Sequence, residues 1–138
     1  MCIFCRIIAG EIPATKVYED DLVLAFLDLS QATKGHTLVI PKHHMMNVLD
    51  ASPVVVAHVN EVAARIARAA VASLGAKGAN IFTNANEIAG QSVFHYHVHV
   101  LPRYTPTDVP WRFDNHQADY TKQQLQAIAS DLQSSLLK

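Results

Sequence analysis

The hydrophobic pattern of the chain alternates between a period of two and a period near 3.6, and the changes of period mark its elements. Cys2 to Ala9 has the spacing of a short helical turn, closed by Gly10. Pro13 interrupts the pattern. Lys16–Tyr18 and Leu22–Leu27 then read as two strands joined at Glu19-Asp20-Asp21, a hairpin. Leu22–Leu27 is apolar at almost every position, so both faces of that strand are expected to be covered. After Asp28 and a polar loop, His36–Pro41 is a third strand, stopped by its proline. Ser52 and Pro53 open a long helix as its N-cap and first residue, and Gly75 closes it after about Leu74. His58, Glu61, Arg65 and Arg68 make one narrow polar stripe on this helix. Val55, Val59, Val62, Ala63, Ile66, Ala69, Ala70 and Val71 leave the rest apolar, which is more than one sheet face buries. A helix packed between its own sheet and a second subunit accounts for that surface, so a homodimer is expected.

Asn80–Asn84 reads as a fourth strand, and residues 85–90 form a connection of hairpin length to a fifth. Residues 102–115 are irregular, with Trp111 and Phe113 as docking residues. Thr121-Lys122-Gln123-Gln124 matches a capping box, and Leu125, Ile128, Ala129, Leu132 and Leu136 give a C-terminal helix its apolar stripe. The pattern contains no repeat and no long linker. It predicts a single α+β domain over residues 1–138, in which an antiparallel sheet of about five strands carries both the long central helix and the C-terminal helix.

Composition narrows the function classes. The chain has 138 residues, half of them hydrophobic, and a net charge of −1 with histidine neutral. No basic field exists to hold nucleic acid, so an anionic ligand must be held by local groups. The apolar runs are too short to span a membrane, and the N-terminus lacks the charged and apolar regions of a secretory signal, which leaves the cytoplasm as the expected location. Two cysteines stand as Cys2-x-x-Cys5. In a reducing compartment that spacing points to metal or redox chemistry over a disulfide.

The chemistry concentrates at Gln91-Ser92-Val93-Phe94-His95-Tyr96-His97-Val98-His99-Val100-Leu101-Pro102-Arg103. The β-branched and aromatic residues between the histidines predict a strand, and alternate side chains of a strand share a face. All three imidazoles then line one surface, with His95 and His99 about 13 Å apart. Zn–N bonds are only about 2.0–2.1 Å, so three ligands to one catalytic zinc are disfavoured and the histidines divide their roles. A neutral imidazole is a competent nucleophile at phosphorus. A second can donate to a phosphate oxygen, and Gln91 and Ser92 offer neutral donors nearby. The residues point to phosphoryl or nucleotidyl transfer.

This segment resembles the signature of the histidine triad (HIT) superfamily. Phe26-Leu27-Asp28, Gly35 to Lys42 and Asn84 to Gln91 resemble its upstream segments. The resemblance implies nucleotide hydrolases and transferases acting on the α-phosphate of a nucleoside 5′-phosphate derivative. It makes His97 the nucleophile, forming a nucleotidyl-histidine, with His99 on the α-phosphate and His36 behind it. It places Asp28 on the ribose, Phe26 and Leu29 near the base, and Asn84, Gln91 and Ser92 on the phosphate or leaving group. Pro41-Lys42-His43-His44 resembles the Pro-Lys-x-His segment of zinc-bearing bacterial members, which selects His44 over His43. With His95 and the two cysteines this implies a structural Zn²⁺ on Cys2, Cys5, His44 and His95. The implied substrate is a purine nucleotide such as an adenosine 5′-phosphoramidate. A dinucleoside polyphosphate hydrolase and a purine nucleotide-binding sensor without turnover are the alternatives. Asn86 stands where the family loop often has Gly; asparagine is the next-best residue for a left-handed backbone.

Overall fold

The structure, a computed structural model, describes residues 2–136. Its elements are α1 (Ile3–Ile8), β1 (Lys16–Glu19), β2 (Val23–Leu27), β3 (Thr37–Pro41), α2 (Pro53–Leu74), β4 (Gly78–Phe82), β5 (Val98–Arg103) and α3 (Lys122–Leu136). The five strands form one antiparallel sheet in the order β1-β2-β3-β5-β4. The architecture is the expected α+β arrangement.

The continuous apolar run of β2 is explained by what covers each face. Val23 and Ala25 point to one side and join Val39, Val98 and Val100 beneath Val59, Val62 and Ala63 of α2. Leu24 and Phe26 point to the other side, with Leu38 and Ile40, beneath Phe4 and Ile7 of α1. The sheet therefore lies between the long helix and the short one. α2 begins and ends as its sequence predicts: the Ser52 hydroxyl accepts from Val55 N–H, and Gly75 caps the helix in a left-handed conformation.

Two elements depart from expectation. β4 starts and ends two residues earlier than predicted, because Lys77 N–H already donates to Arg103 O and Gly78 pairs with Arg103. α3 forms over the expected residues but does not pack on the sheet: none of its described residues is buried, and Leu125, Ile128, Leu132 and Leu136 are all exposed. The capping box holds, with Thr121 N–H donating to Gln124 Oε1 and Gln124 N–H to the Thr121 hydroxyl. The helix thus has local signals for its start but no partner here for its stripe.

The loop before β3 decides where His36 stands. The Gln31 amide donates to the carbonyls of Asp28 and His36, and its oxygen accepts from Gly35 N–H. Thr33 ties the loop to Pro102 O at 2.6 Å. Gly35 has φ +92°, and an added Cβ would lie 2.7 Å from Leu74 Cδ1 and 3.3 Å from Pro102 Cγ. At Gly75, with φ +79°, the same Cβ meets nothing within 4 Å. Both alanine variants carry the left-handed penalty of about 1–2 kcal/mol. Gly35→Ala adds the close contact with the Pro102 ring and requires the Leu74 side chain to move, so its unfolding midpoint in urea will fall below that of Gly75→Ala.

Candidate active site and metal cluster

The three histidines share the α1 face of the sheet, while Tyr96, Val98 and Val100 are buried with α2 on the other. Alternation survives, but the strand does not extend over all three. β5 begins at Val98, so His95 and His97 precede it. The ladder is displaced because other groups take the backbone: Tyr96 N–H donates to Met45 O at 2.8 Å, and the Thr83 hydroxyl donates to His97 O at 2.6 Å. The His97 and His99 rings stand with centroids 5.0 Å apart, closer than the strand spacing of about 6.5–7 Å.

Hydrogen bonds set the tautomers. His97 Nδ1 lies 2.7 Å from His95 O. A carbonyl only accepts, so Nδ1 carries the proton and Nε2 keeps its lone pair. Ala32 N–H donates to His36 Nδ1, which puts the His36 proton on Nε2, 3.0 Å from His99 Nδ1. His99 Nδ1 therefore accepts, and its Nε2–H is left as a donor. The site thus places one nucleophilic nitrogen beside one N–H donor. Burial pushes the pKa of His36 and His97 below the ordinary histidine value. Burial, reinforced by its histidine neighbours, holds His99 down at about 4. These rings are neutral at pH 7.

Asp28 ends β2 beside them. One of its oxygens accepts from the backbone and hydroxyl of Ser30 at 2.8 and 2.7 Å, and the other lies 3.8 Å from His36 Nε2. Burial opposes its charge, but the Ser30 donors and the neighbouring His36 and His99 outweigh that and keep its pKa below the usual carboxylate range. Next to Asp28 opens a cavity of about 290 Å³, walled by Ile3, Phe4, Ile7, Phe26, Leu38 and Val93 among others. Leu29 reaches only its rim, being 94% exposed.

The other expected contacts divide. Asn84 lies in the loop after β4, with its amide against Gly90. Ser92 is exposed beside Val93. Gln91 is a correction. It is buried, its oxygen accepts from Asn47 Nδ2 and Asn86 N–H, and its amide donates to the carbonyls of Met46 and Val93. Both ends are engaged by the fold, so Gln91 holds the loop together instead of offering a donor to substrate. Asn86 has φ 74°, a backbone region that only glycine enters freely. Two neighbours were missed from sequence. Phe82 pairs across the sheet with His99 and stacks on its ring at 4.6 Å. Phe4 stands edge-on to His97 at 5.2 Å. Phe82 follows only from strand register, whereas Phe4 could have been suspected from its place between the two cysteines.

Cys2, Cys5, His44 and His95 converge a short distance away. His95 Nδ1 is 3.4 Å from Cys2 Sγ, 3.5 Å from Cys5 Sγ and 3.2 Å from His44 Nδ1, and His44 Nδ1 is 3.3 Å from Cys5 Sγ. Ligands on a tetrahedral zinc stand roughly 3.3–3.8 Å apart, given Zn–S of about 2.3 Å and Zn–N of about 2.0–2.1 Å. His95 Nε2 donates to Pro41 O at 2.8 Å, leaving Nδ1 unprotonated toward the sulfurs. Burial and the adjacent Cys2 sulfur push the Cys5 thiol pKa up, a charge conflict that a divalent cation relieves. The four residues fit the metal.

Residues 9–106 match the family model described as the HIT domain. The chain belongs to the HIT family. A crystal structure of a HIT family protein from Bacillus anthracis is 48% identical, covers 97% of this chain and 96% of its own, and superposes with a TM-score of 0.92. A Zn-bound histidine triad family protein from Mycobacterium smegmatis is 41% identical over 97% of this chain and 96% of its own, with a TM-score of 0.76. The adenylylsulfatase HINT3 of Arabidopsis thaliana is 41% identical over 102 residues, 74% of this chain and 52% of the relative. No helix among the described residues of this HIT protein is long and apolar enough to cross a membrane.

The cluster geometry distinguishes His44 from His43. Cys5→Ser and His44→Ala will each lower zinc retention after dialysis from near one ion per chain, while His43→Ala will retain it; metal analysis of the purified proteins reads the difference.

Proposed function

We propose that this HIT protein hydrolyses nucleoside 5′-phosphoramidates or related adenylated compounds through a nucleotidyl-histidine at His97. One observation carries the reading: hydrogen bonds leave His97 Nε2 as a free lone pair beside the Nε2–H donor of His99. His97 Nε2 attacks the α-phosphorus, the bond to the leaving group breaks with an amine departing neutral by taking a proton from solvent, and His97 becomes a cation whose Nδ1–H bond to His95 O strengthens. His99 Nε2–H donates to an α-phosphate oxygen as charge develops there. Water then attacks phosphorus and gives up a proton to solvent, the P–Nε2 bond breaks to return neutral His97, and a nucleoside monophosphate leaves.

The nucleoside half fits the cavity beside Asp28. Its apolar walls suit a purine, and the free oxygen of Asp28 is an acceptor for ribose hydroxyls. Asn84 and Ser92 remain candidates for the phosphate or leaving group. A relative that is an adenylylsulfatase supports action on an adenylylated compound. Cys2, Cys5, His44 and His95 would hold a structural Zn²⁺, which supplies no chemistry at phosphorus and fixes the scaffold of the nucleophile. The homodimer belongs to the same proposal: the exposed stripe of α3, with Val54 and Val71 of α2, is surface for a second copy to cover. A dinucleoside polyphosphate would use the same His97 with a different leaving group.

Incubation with an adenosine 5′-phosphoramidate, quenched in base, will show adenylyl mass on the peptide containing His97. His97→Ala will lose that adduct and at least about 10³-fold in kcat. Tight nucleotide binding with no adduct and no nucleoside monophosphate release would favour the sensor. In His36→Phe the His99 tautomer is no longer set, so kcat will fall about 10²-fold with KM little changed; an unchanged kcat would remove His36 from the proposal.

A further inference from the structure

α1 has two working faces within six residues. Cys2, at its N-cap, and Cys5 turn toward His44 and His95. Ile3, Phe4 and Ile7 turn the other way and form the inner wall of the cavity beside Asp28. Phe4 stands at the junction. Its ring lies 5.9 Å from His95, 5.2 Å from His97 and 5.5 Å from Phe26, in edge-on arrangements with all three. A helix this short cannot hold itself in water. Its position depends on what anchors it: the buried Phe4 and Ile7, and the group of thiols and imidazoles at its start.

We infer that α1 couples the two sites, so that metal on Cys2, Cys5, His44 and His95 and a nucleoside monophosphate in the adjoining cavity bind cooperatively. The inference rests on the nucleotide reading given above and extends it. Two states of the chain differ in whether α1 is docked. Only the docked state brings both sulfurs to the imidazoles, and only the docked state completes the cavity wall. Each ligand therefore favours the state that the other needs, and the coupling factor is the same in both directions. If α1 were fully docked without metal, neither ligand would have anything to shift and the factor would be one.

Adenosine monophosphate, an unreactive probe, is titrated calorimetrically into the zinc-loaded protein and into Cys5→Ser dialysed until metal analysis finds no zinc. Circular dichroism confirms that both are folded. Affinity is expected to fall about tenfold in Cys5→Ser, within the usual range of coupling between sites. The reciprocal measurement follows zinc transfer from the wild-type protein to a chromophoric chelator. Saturating adenosine monophosphate will raise the chelator concentration needed by the same factor. Ile3→Ala, which alters the wall outside the metal cluster, will weaken nucleotide binding while zinc affinity without nucleotide stays unchanged. Hydrogen exchange at the amides of residues 3–8 will be faster in Cys5→Ser. Equal nucleotide affinity with and without metal, or zinc transfer indifferent to nucleotide, overturns the coupling while leaving the hydrolase reading intact. Absence of adenosine monophosphate binding in the zinc-loaded protein overturns the nucleotide reading and the coupling with it.

Discussion

His95 is the residue through which the two sites are joined. Its ring is fully buried and uses both nitrogens, one toward Pro41 O and the other toward the two sulfurs and His44. Its carbonyl holds the Nδ1–H of His97. A buried ring with both nitrogens committed cannot rotate without leaving polar atoms unpaired, which costs about 1–3 kcal/mol each. The orientation of the proposed nucleophile is therefore inherited from a residue that does not touch substrate. The ladder with β3 ends at Val98; before it, Met45 O accepts from Tyr96 N–H, the Thr83 hydroxyl donates to His97 O and the His97 ring bonds His95 O.

The fold serves this arrangement by giving the two faces of one sheet different tasks. The α2 face is mainly apolar packing, with Tyr96, Val98 and Val100 beneath the long helix. That burial anchors β5 and the segment before it. The α1 face is apolar only over β2 and β3, where Phe4, Ile7, Phe26 and Leu38 meet. Beyond β3 it carries the imidazoles of His95, His97 and His99, of which His99 alone lies in β5. Each alternate residue from His95 to Val100 thus contributes either to the stability of one face or to the chemistry of the other, and neither function constrains the other's side chains.

Electrostatically the proposed catalytic cluster is unusual for a group expected to meet a phosphate. Its histidines are kept neutral by burial and, at His99, by the other histidines, and the charged group beside them, Asp28, is an anion. Oriented N–H dipoles must then do what a cation does elsewhere. That is feasible because the tautomers are fixed before substrate arrives, so no reorganisation is needed as charge develops. The ordering extends outward through Gln31, which closes the loop that carries Asp28 and His36, and Gln91, which ties Asn47, Asn86, Met46 and Val93 into one unit.

Much of this protein was legible along the chain because it depends on local rules. The long helix could be read to its caps from Ser52, Pro53 and Gly75, and the doubly covered β2 from its unbroken apolar run. Alternation put three imidazoles on one face, and the signature named the family. What the chain could not show were outcomes of competition between distant groups. Periodicity predicts a strand through His95, but a hydroxyl from Thr83 and a carbonyl from Met45 reach that backbone, and the strand begins only at Val98. Composition makes Gln91 a free donor, but partners up to 45 residues away in sequence occupy its amide. The stripe on α3 reads as a buried face, but a stripe records only that an apolar surface exists, not which surface meets it. Local sequence determines backbone shape and side-chain direction; which hydrogen bonds are already taken is decided only when remote segments are brought together, and on that depends which imidazole nitrogen is left free.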